Sequence, residues 1–383
     1  MKTGRLDYHS GSWTNWDSWN GDDDKVQLVF IFADRILLES PDWIEPVRMR
    51  FTQAKYVLAS TAGEISGTSI LENSAVAVLV QFEKTPIQLI HANLNDFASS
   101  IELGKQLGSM LPNTDLSHVF VISDGSRVNG DELISGMQQT LPPGLPISGG
   151  LAGDYGRFEK TLVGLDKDIR DGNVVLIGLY GNKIQVNTSY RGGWNPFGPE
   201  RTISKSNGNV LFEIDGQNAL ELYKKYLGKY ADELPGSCLL FPLSIQAPNQ
   251  EEFIVRTILT IDEANRTMTF AGNLPEGSKV RFMKANSDEL IHASYEAGEQ
   301  LSTKIKDSSD SAELALLISC VGRKVVLGQR VEEEIEAASE HMGSNTNIAG
   351  FFSYGEIAPD YESRTNYLHN QTMTITTFAE TSD

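Results

Sequence analysis

Apolar residues in this chain collect in short unbroken runs bounded by glycine, proline and small polar residues. That is the pattern of strands buried on both faces. The body opens at Val26, and QLVFIFA, ending at Ala33, predicts the first strand. Ser40-Pro41 then reads as a helix cap with proline at the first position, and Pro46 keeps that helix short or kinked. YVLAS (56–60) and SAVAVLVQF (74–82) predict strands on either side of the turn Thr61-Ala62-Gly63-Glu64-Ile65. A similar order recurs. HVFVIS stops at Asp124-Gly125, and Asn129 caps a helix with Leu133, Ile134, Met137 and Leu141 on one face. LPIS runs into Gly149-Gly150-Leu151-Ala152-Gly153-Asp154, and NVVLIGLY follows. The order appears again near the C-terminus: LALLIS stops at Cys320-Val321-Gly322-Arg323, and a Glu-rich helix spans 331–341. NIAGFF then enters the turn Ser353-Tyr354-Gly355-Glu356-Ile357, and TMTITTF closes the chain.

We read one strand–helix–strand–turn–strand unit used three times. Its turns align as Ser60-Thr61-Ala62-Gly63-Glu64, Gly150-Leu151-Ala152-Gly153-Asp154 and Phe352-Ser353-Tyr354-Gly355-Glu356. Between the second and third copies the pattern changes. A helix runs from Asn218 to Leu227 and stops at Gly228, FIVRTILTID and RTMTFAG form a hairpin, and KVRFMKA adds a third strand of that meander. Ser287 opens a long helix, and 308–311 is a polar loop. Before the body, residues 1–24 are a polar arm with Trp13, Trp16 and Trp19 at three-residue spacing. They either line one side of a helical turn as a lid or belong to a loose arm with one or two tryptophans on the core.

A length of 383 residues suits two domains, and 40% hydrophobic residues make a globular chain. The charge of −19 repels phosphate backbones and anionic lipid, which excludes nucleic acid and membrane surfaces as partners. Cys238 and Cys320 form no CxxC and fit a reducing compartment, the cytoplasm. No apolar run reaches the ~20 residues of a membrane helix, and the N-terminus has no secretory pattern. GxxxxGK[ST], HExxH and GxSxG are absent. Gly149–Gly153 opens no helix, so it is a tight turn and not a dinucleotide loop.

The candidate chemistry is spare. If the repeats pack about one axis, Glu64, Asp154 and Glu356 converge and bind a cation or a ligand amine. The alternative is that each accepts hydrogen bonds within its own turn. Cys320 is either an inert buried thiol or a nucleophile activated by the guanidinium of Arg323. His369, just before the closing strand, is either a structural hydrogen-bonder or a metal ligand.

Taken together, the motifs resemble those of the FIST family. Ser60–Ile65, Gly149–Asp154 and Gly193-Trp194 are similar to its N-terminal region, and Asp215-Gly216 with Ala219, Tyr223 and Leu227-Gly228 to its junction. Pro242-Leu243, Val255-Arg256, Ser319–Arg323, Gly350–Ile357 and Leu368–Thr372 are similar to its C-terminal region. The resemblance spans about 25–380 and departs from the family at the Trp-rich arm and first helix. It implies an α/β fold of α+β character, with mixed sheets flanked by helices. The expected domains are FIST N at 25–212 and FIST C at 213–383.

The resemblance further implies a non-enzymatic sensor of the free-standing bacterial type. Such a chain binds a small ligand between or within the two regions and modulates a histidine kinase or a cyclic-di-GMP enzyme, with homo-oligomerisation left open. The ligand-binding set it implies is Glu64, Gly150, Asp154, Arg256, Cys320, Arg323, Tyr354, Glu356 and Asn370. One branch binds haem and senses nitric oxide. Here that version takes His369 as the axial ligand, with Arg323 or Arg256 at the propionates. The alternatives are an amino acid or other metabolite as ligand, and a thiol enzyme using Cys320.

Overall fold

The structure, a computed structural model, describes residues 1–248, 250, 252–306 and 312–381. The polar loop expected at 308–311 lies outside the described residues. Three long apolar strands, Leu28–Ala33, Leu116–Ser123 and Leu314–Cys320, each lead one unit. Each leading strand pairs in parallel with the second strand of its unit, Lys55–Ser60, Ile147–Leu151 or Asn347–Ser353. Parallel neighbours need a crossover, which the intervening helical segment supplies. Each leading strand also pairs antiparallel with the closing strand of its unit, Ala75–Gln81, Asn173–Tyr180 or Met373–Glu380. A flanking strand covers each closing strand: Lys2–His9, Ile87–Asn93 and Ile184–Arg191.

The repeat carries a feature that the sequence pattern does not announce. The hairpin after each corner leaves its own unit and extends the next one's sheet. Glu64–Ser66 of unit one pairs with the second strand of unit three. Val163–Leu165 of unit two pairs with the second strand of unit one, and Gly355–Asp360 of unit three with that of unit two. This cyclic exchange ties the units together with main-chain hydrogen bonds. Their sheets enclose one core, where Phe30, Phe120 and Phe378 come one from each unit, at 5.7 and 5.8 Å between successive ring centres.

Helices cover the outside of units two and three. Ser100–Met110 packs on Gly130–Gln138, and the helices approach closely because a methyl group on Gly104 would strike the Leu133 carbonyl. Ser287–Lys306 packs on Val331–Ser339 in the same way. Unit one has the short, proline-interrupted segments Arg35–Leu38 and Glu45–Arg50, as Pro41 and Pro46 predict. The Trp-rich residues stand where its second helix would be. The lid is corrected here, and so is the looseness of the arm, since Lys2–His9 is a strand of the first sheet; Trp13 and Trp19 are buried on the core, as the second reading has it. The three tryptophans do not share a helical face. Trp13 lies in a strand, Trp16 opens a single 3-10 turn, and Trp19 follows it.

Among the described residues the strands form four sheets of seven, six, six and eight strands. The eight-stranded one is an insertion between the flanking strand and the long helix of unit three. It holds Asn195–Asn207, Val210–Ile214, Leu243–Gln246, Ile254–Arg256, Ile258–Asp262, Thr267–Phe270 and Lys279–Lys284, with Gln217–Asn218 beside it. The expected domain boundary after residue 212 falls inside the strand Val210–Ile214 of this sheet. The expected hairpin forms between Ile258–Asp262 and Thr267–Phe270, but its first strand is divided. Ile254–Arg256 and Ile258–Asp262, separated by Thr257 alone, occupy opposite edges of this sheet, which therefore curls back on itself. Lys279–Lys284 pairs with Asn195–Asn207 and Leu243–Gln246, not with the hairpin.

Candidate functional site

The three corners do meet. Gly153 N–H donates to Ser60 O and Tyr155 N–H to Thr61 O. Ala62 N–H donates to Phe352 O, and Tyr354 N–H to Leu151 O. Their carboxylates are consumed locally. Glu64 accepts from the Thr61 and Ser74 hydroxyls, and Glu356 from the Ser353 hydroxyl and from the amide and hydroxyl of Thr372. Asp154 accepts the amides of Phe158, Glu159 and Lys160 and the Tyr354 hydroxyl. All three are buried. Asp154 is also one place out of register. Ser60 pairs with Ala33, Leu151 with Ser123, and Phe352 with Ser319, so Tyr155 stands where the other copies have Glu64 and Glu356. Within the expected ligand set, these carboxylates are turn acceptors. Gly150 packs on Ile318 opposite Glu356 in the ladder and faces no ligand space.

Burial pushes Glu64 and Glu356 up to about 8 from the ordinary carboxylate value. Their protons are therefore kept in the fold and released by the unfolded chain once pH passes the ordinary Glu range. This contribution is complete below about pH 4.5 and is lost as pH rises toward about 8. The double variant Glu64→Gln, Glu356→Gln is expected to flatten the fall in stability across that window, read from urea midpoints at a series of pH values. An unchanged slope would contradict it.

Arg323 and Cys320 also take structural places. Arg323, fully buried, donates from Nε to the buried Glu334, from Nη1 to Gly192 O, and from Nη2 to Leu290 O (2.9 Å) and the Ser294 hydroxyl (2.8 Å). Four of its five N–H groups are so engaged, and the side chain has no exposed surface to offer a propionate or a ligand. Cys320 is 1% exposed, and burial pushes its thiol up. Burial, with Glu356 beside it, outweighs the lowering by Arg323, so the arginine does not activate the thiol. Cys238 is equally buried, its thiol pushed up to about 12. Neither cysteine is expected to react with Ellman's reagent in the native protein at neutral pH, whereas both react in denaturant. Native labelling of Cys320 would restore the thiol-enzyme reading.

The remaining residues gather at Leu368–Gln371, where the inserted sheet meets the triplicated body. Arg256, from the insert, donates to Leu368 O (2.7 Å) and to both carboxylate oxygens of Asp131 (2.8 Å each). Trp194 Nε1 donates to Gln371 O (2.9 Å), and Gln371 Nε2 to Leu239 O. Asn370 Nδ2 donates to Tyr354 O, while the Tyr354 hydroxyl is turned to Asp154. Three consecutive buried side chains here keep an atom without a protein partner: His369 Nε2, Asn370 Oδ1 and Gln371 Oε1. Thr257 Oγ1, next to Arg256, is a fourth. Buried polar atoms are normally satisfied, so such a group marks where water or a ligand belongs. Burial and then Arg256 hold His369 down to about 3, a neutral imidazole.

The residues around His369 do not fit haem. Nε2 is unengaged by the protein, but Tyr190 lies over the ring at 4.0 Å between centres, and the neighbours are amides, a phenol and a guanidinium. An iron porphyrin asks for an apolar slot and a cation for its propionates. Arg256 is already held by Asp131. Tyr190, Asp131, Thr257 and Gln371 were not singled out from the sequence. Only Gln371 lay in a recognisable motif, and its left-handed backbone (φ 64°) shows only in the fold.

With this geometry in hand, the FIST N domain family model matches residues 27–217 and the FIST C domain model residues 219–359. The chain is also similar to an uncharacterized protein of Methanocaldococcus jannaschii. The two are 24% identical over 347 residues, an alignment covering 79% of this chain and 64% of that protein. The chain thus spans just under two thirds of that relative's length.

Proposed function

This chain belongs to the FIST family, whose domains are sensor domains of signal transduction, and on that premise we propose that it binds a small polar ligand at the Leu368–Gln371 seam. One observation carries the reading. The stretch whose side chains each keep one atom without a partner is the same stretch whose main chain accepts from Arg256, at Leu368 O, and from Trp194, at Gln371 O. A ligand satisfying Asn370 Oδ1 and Gln371 Oε1 therefore acts on the joint between the two bodies. Binding that differs between two arrangements of that joint shifts their populations, and a partner, such as a histidine kinase or a cyclic-di-GMP enzyme, reads the shift. Both amides already donate their N–H groups to carbonyls, so the free oxygens call for a ligand with N–H or O–H donors. No described helix is long and apolar enough to cross a membrane.

A thermal-shift screen of polar metabolites tests the proposal. A ligand at a hundred times its Kd adds about 2.7 kcal/mol of stability. The expected result is a hit whose shift disappears in Asn370→Ala, with that variant's circular dichroism unchanged. A hit that survives Asn370→Ala, or a screen without hits, would contradict it.

A further inference from the structure

The three flanking strands differ at their outer edges. Phe30, Phe120 and Leu316 each stand three residues before Ala33, Ser123 and Ser319, the register points of the leading strands. The ladders carry them across Val78, Ile177 and Thr376 of the closing strands to Arg5, Leu89 and Thr188 of the flanking strands. At two of these equivalent positions the main chain is met from outside. Arg5 N–H donates to the Ser18 hydroxyl, which donates back to Arg5 O, and Ser12–Thr14 pairs antiparallel with Asp7–His9 of the same strand. Thr188 N–H donates to the Tyr361 hydroxyl. Leu89 has no such cover. Leu94 N–H on Gly172 O and Tyr180 N–H on Pro86 O show that the even-numbered residues of Ile87–Asn93 are those bonded to Asn173–Tyr180. Antiparallel bonding alternates, so Ile87, Leu89 and His91 turn their N–H and C=O groups outward. Among the described residues these groups have no partner, and the strand is the last of its sheet. Its sequence, Ile-Gln-Leu-Ile-His-Ala-Asn, carries no proline and no charged residue, the usual guards of an open edge.

A cleft of about 920 Å³ lies beside this edge, between Ile87–Leu89 and the ends of unit one's strands at Val26, Gln27, Lys55 and Gln81–Glu83. Unit one's own edge borders an equivalent cleft. There Asn345 and Asn347 stand where this one has Gln53 and Lys55, and the arm's Asn15–Ser18 forms a wall. We propose that the Ile87–His91 edge takes up an extended peptide segment of a partner protein as an added antiparallel strand, as unit one takes up its own arm. Unit one's strand ends stand across the cleft, which suits one extended segment better than the folded edge of a second copy. Val26, Phe82, Ile87 and Leu89 offer apolar surface to alternate side chains of the segment. Lys25 is paired with Asp22 (3.3 Å) and Lys55 with Asp166 (2.9 Å). The charges left to face the segment are Asp24 and Glu83, the latter 4.0 Å from the Met1 amine, so the segment carries Lys or Arg at its flanks. The chain's charge of −19 favours the same sign of partner. No residue is shared with Leu368–Gln371, so this surface and the ligand proposed there stand or fall separately.

Selection of random displayed dodecapeptides on the whole protein, followed by fluorescence anisotropy with the enriched sequences, tests it. The enriched peptides are expected to alternate apolar residues, to lack internal proline and to carry Lys or Arg near an end. Asp24→Lys with Glu83→Lys, both exposed, is expected to weaken them at least about fivefold. Leu89→Pro removes an outward N–H and no ladder bond, and is expected to weaken them at least about tenfold. The charge variant keeps the test open should Leu89→Pro not fold. Hydrogen exchange in the complex is expected to slow at the Ile87, Leu89 and His91 amides. A selection without enrichment, peptides that bind the charge variant as tightly as the unaltered chain, or protection elsewhere than these amides would overturn the proposal. So would a concentration-dependent dimer that protects the same amides, since it would give the edge to a second copy.

Discussion

Arg323→Ala is expected to lower the stability of the chain by about 3–5 kcal/mol, among the largest effects of any single substitution, because it strands a buried charge. Arg323 and Glu334 have no exposed side-chain surface, and among the described residues Glu334 otherwise accepts only from the Ser294 and Ser319 hydroxyls. The guanidinium also joins three elements: the long helix through Leu290 O, the linker into the insert through Gly192 O, and the Glu-rich helix through Glu334. Lysine retains the charge without the fork of donors, so Arg323→Lys is expected to recover less than half of the loss. Chemical denaturation of the three proteins checks this. A loss below about 1 kcal/mol, the size of an exposed ion pair, would mean that the pair is solvated and would remove it from the framework.

Phe120→Ala is the second large expected effect, about 3–5 kcal/mol for truncating a fully packed aromatic side chain. Phe120 is 1% exposed and touches Phe30 of unit one and Phe378 of unit three. It borders a void of only about 10 Å³, so the core has little slack to refill the space. Since all three units contribute to this one cluster, the variant is expected to unfold in a single transition at a lower denaturant concentration, with fluorescence and circular dichroism coincident. Separate transitions would show that the units hold independent cores.

The repeat was legible because unbroken apolar runs, helix caps such as Asn129, and glycine stops such as Gly228 are local signals. The exchange of hairpins was not, because nothing in Glu64-Ile65-Ser66 says that its partner is Ala349–Phe351 and not its own unit. The shift of Asp154 was hidden for a related reason: the letters Gly-Asp match Gly-Glu, and only pairing with Ser123 fixes the register. Arg256 and Asn370 were found through the resemblance, and the structure brings both to the seam. Arg323 was misread because its partner Glu334, on a helix that looks solvent-facing by composition, is buried. Tyr190 and Asp131 reach the seam from strands and helices far along the chain, and no spacing rule connects them to His369.

Hydrogen–deuterium exchange in the presence of a small-molecule extract of bacterial cells, filtered to below about 1 kDa, probes the seam while its ligand is still unidentified; exchange reports local opening directly. Added protection is expected in peptides covering 238–247, 252–258 and 366–373, on both sides of the joint, and absent in Asn370→Ala. Protection confined to other surfaces, such as the cleft lined by Arg5, Trp16 and Asn347, or no protection at all, would contradict a receptor built on that joint.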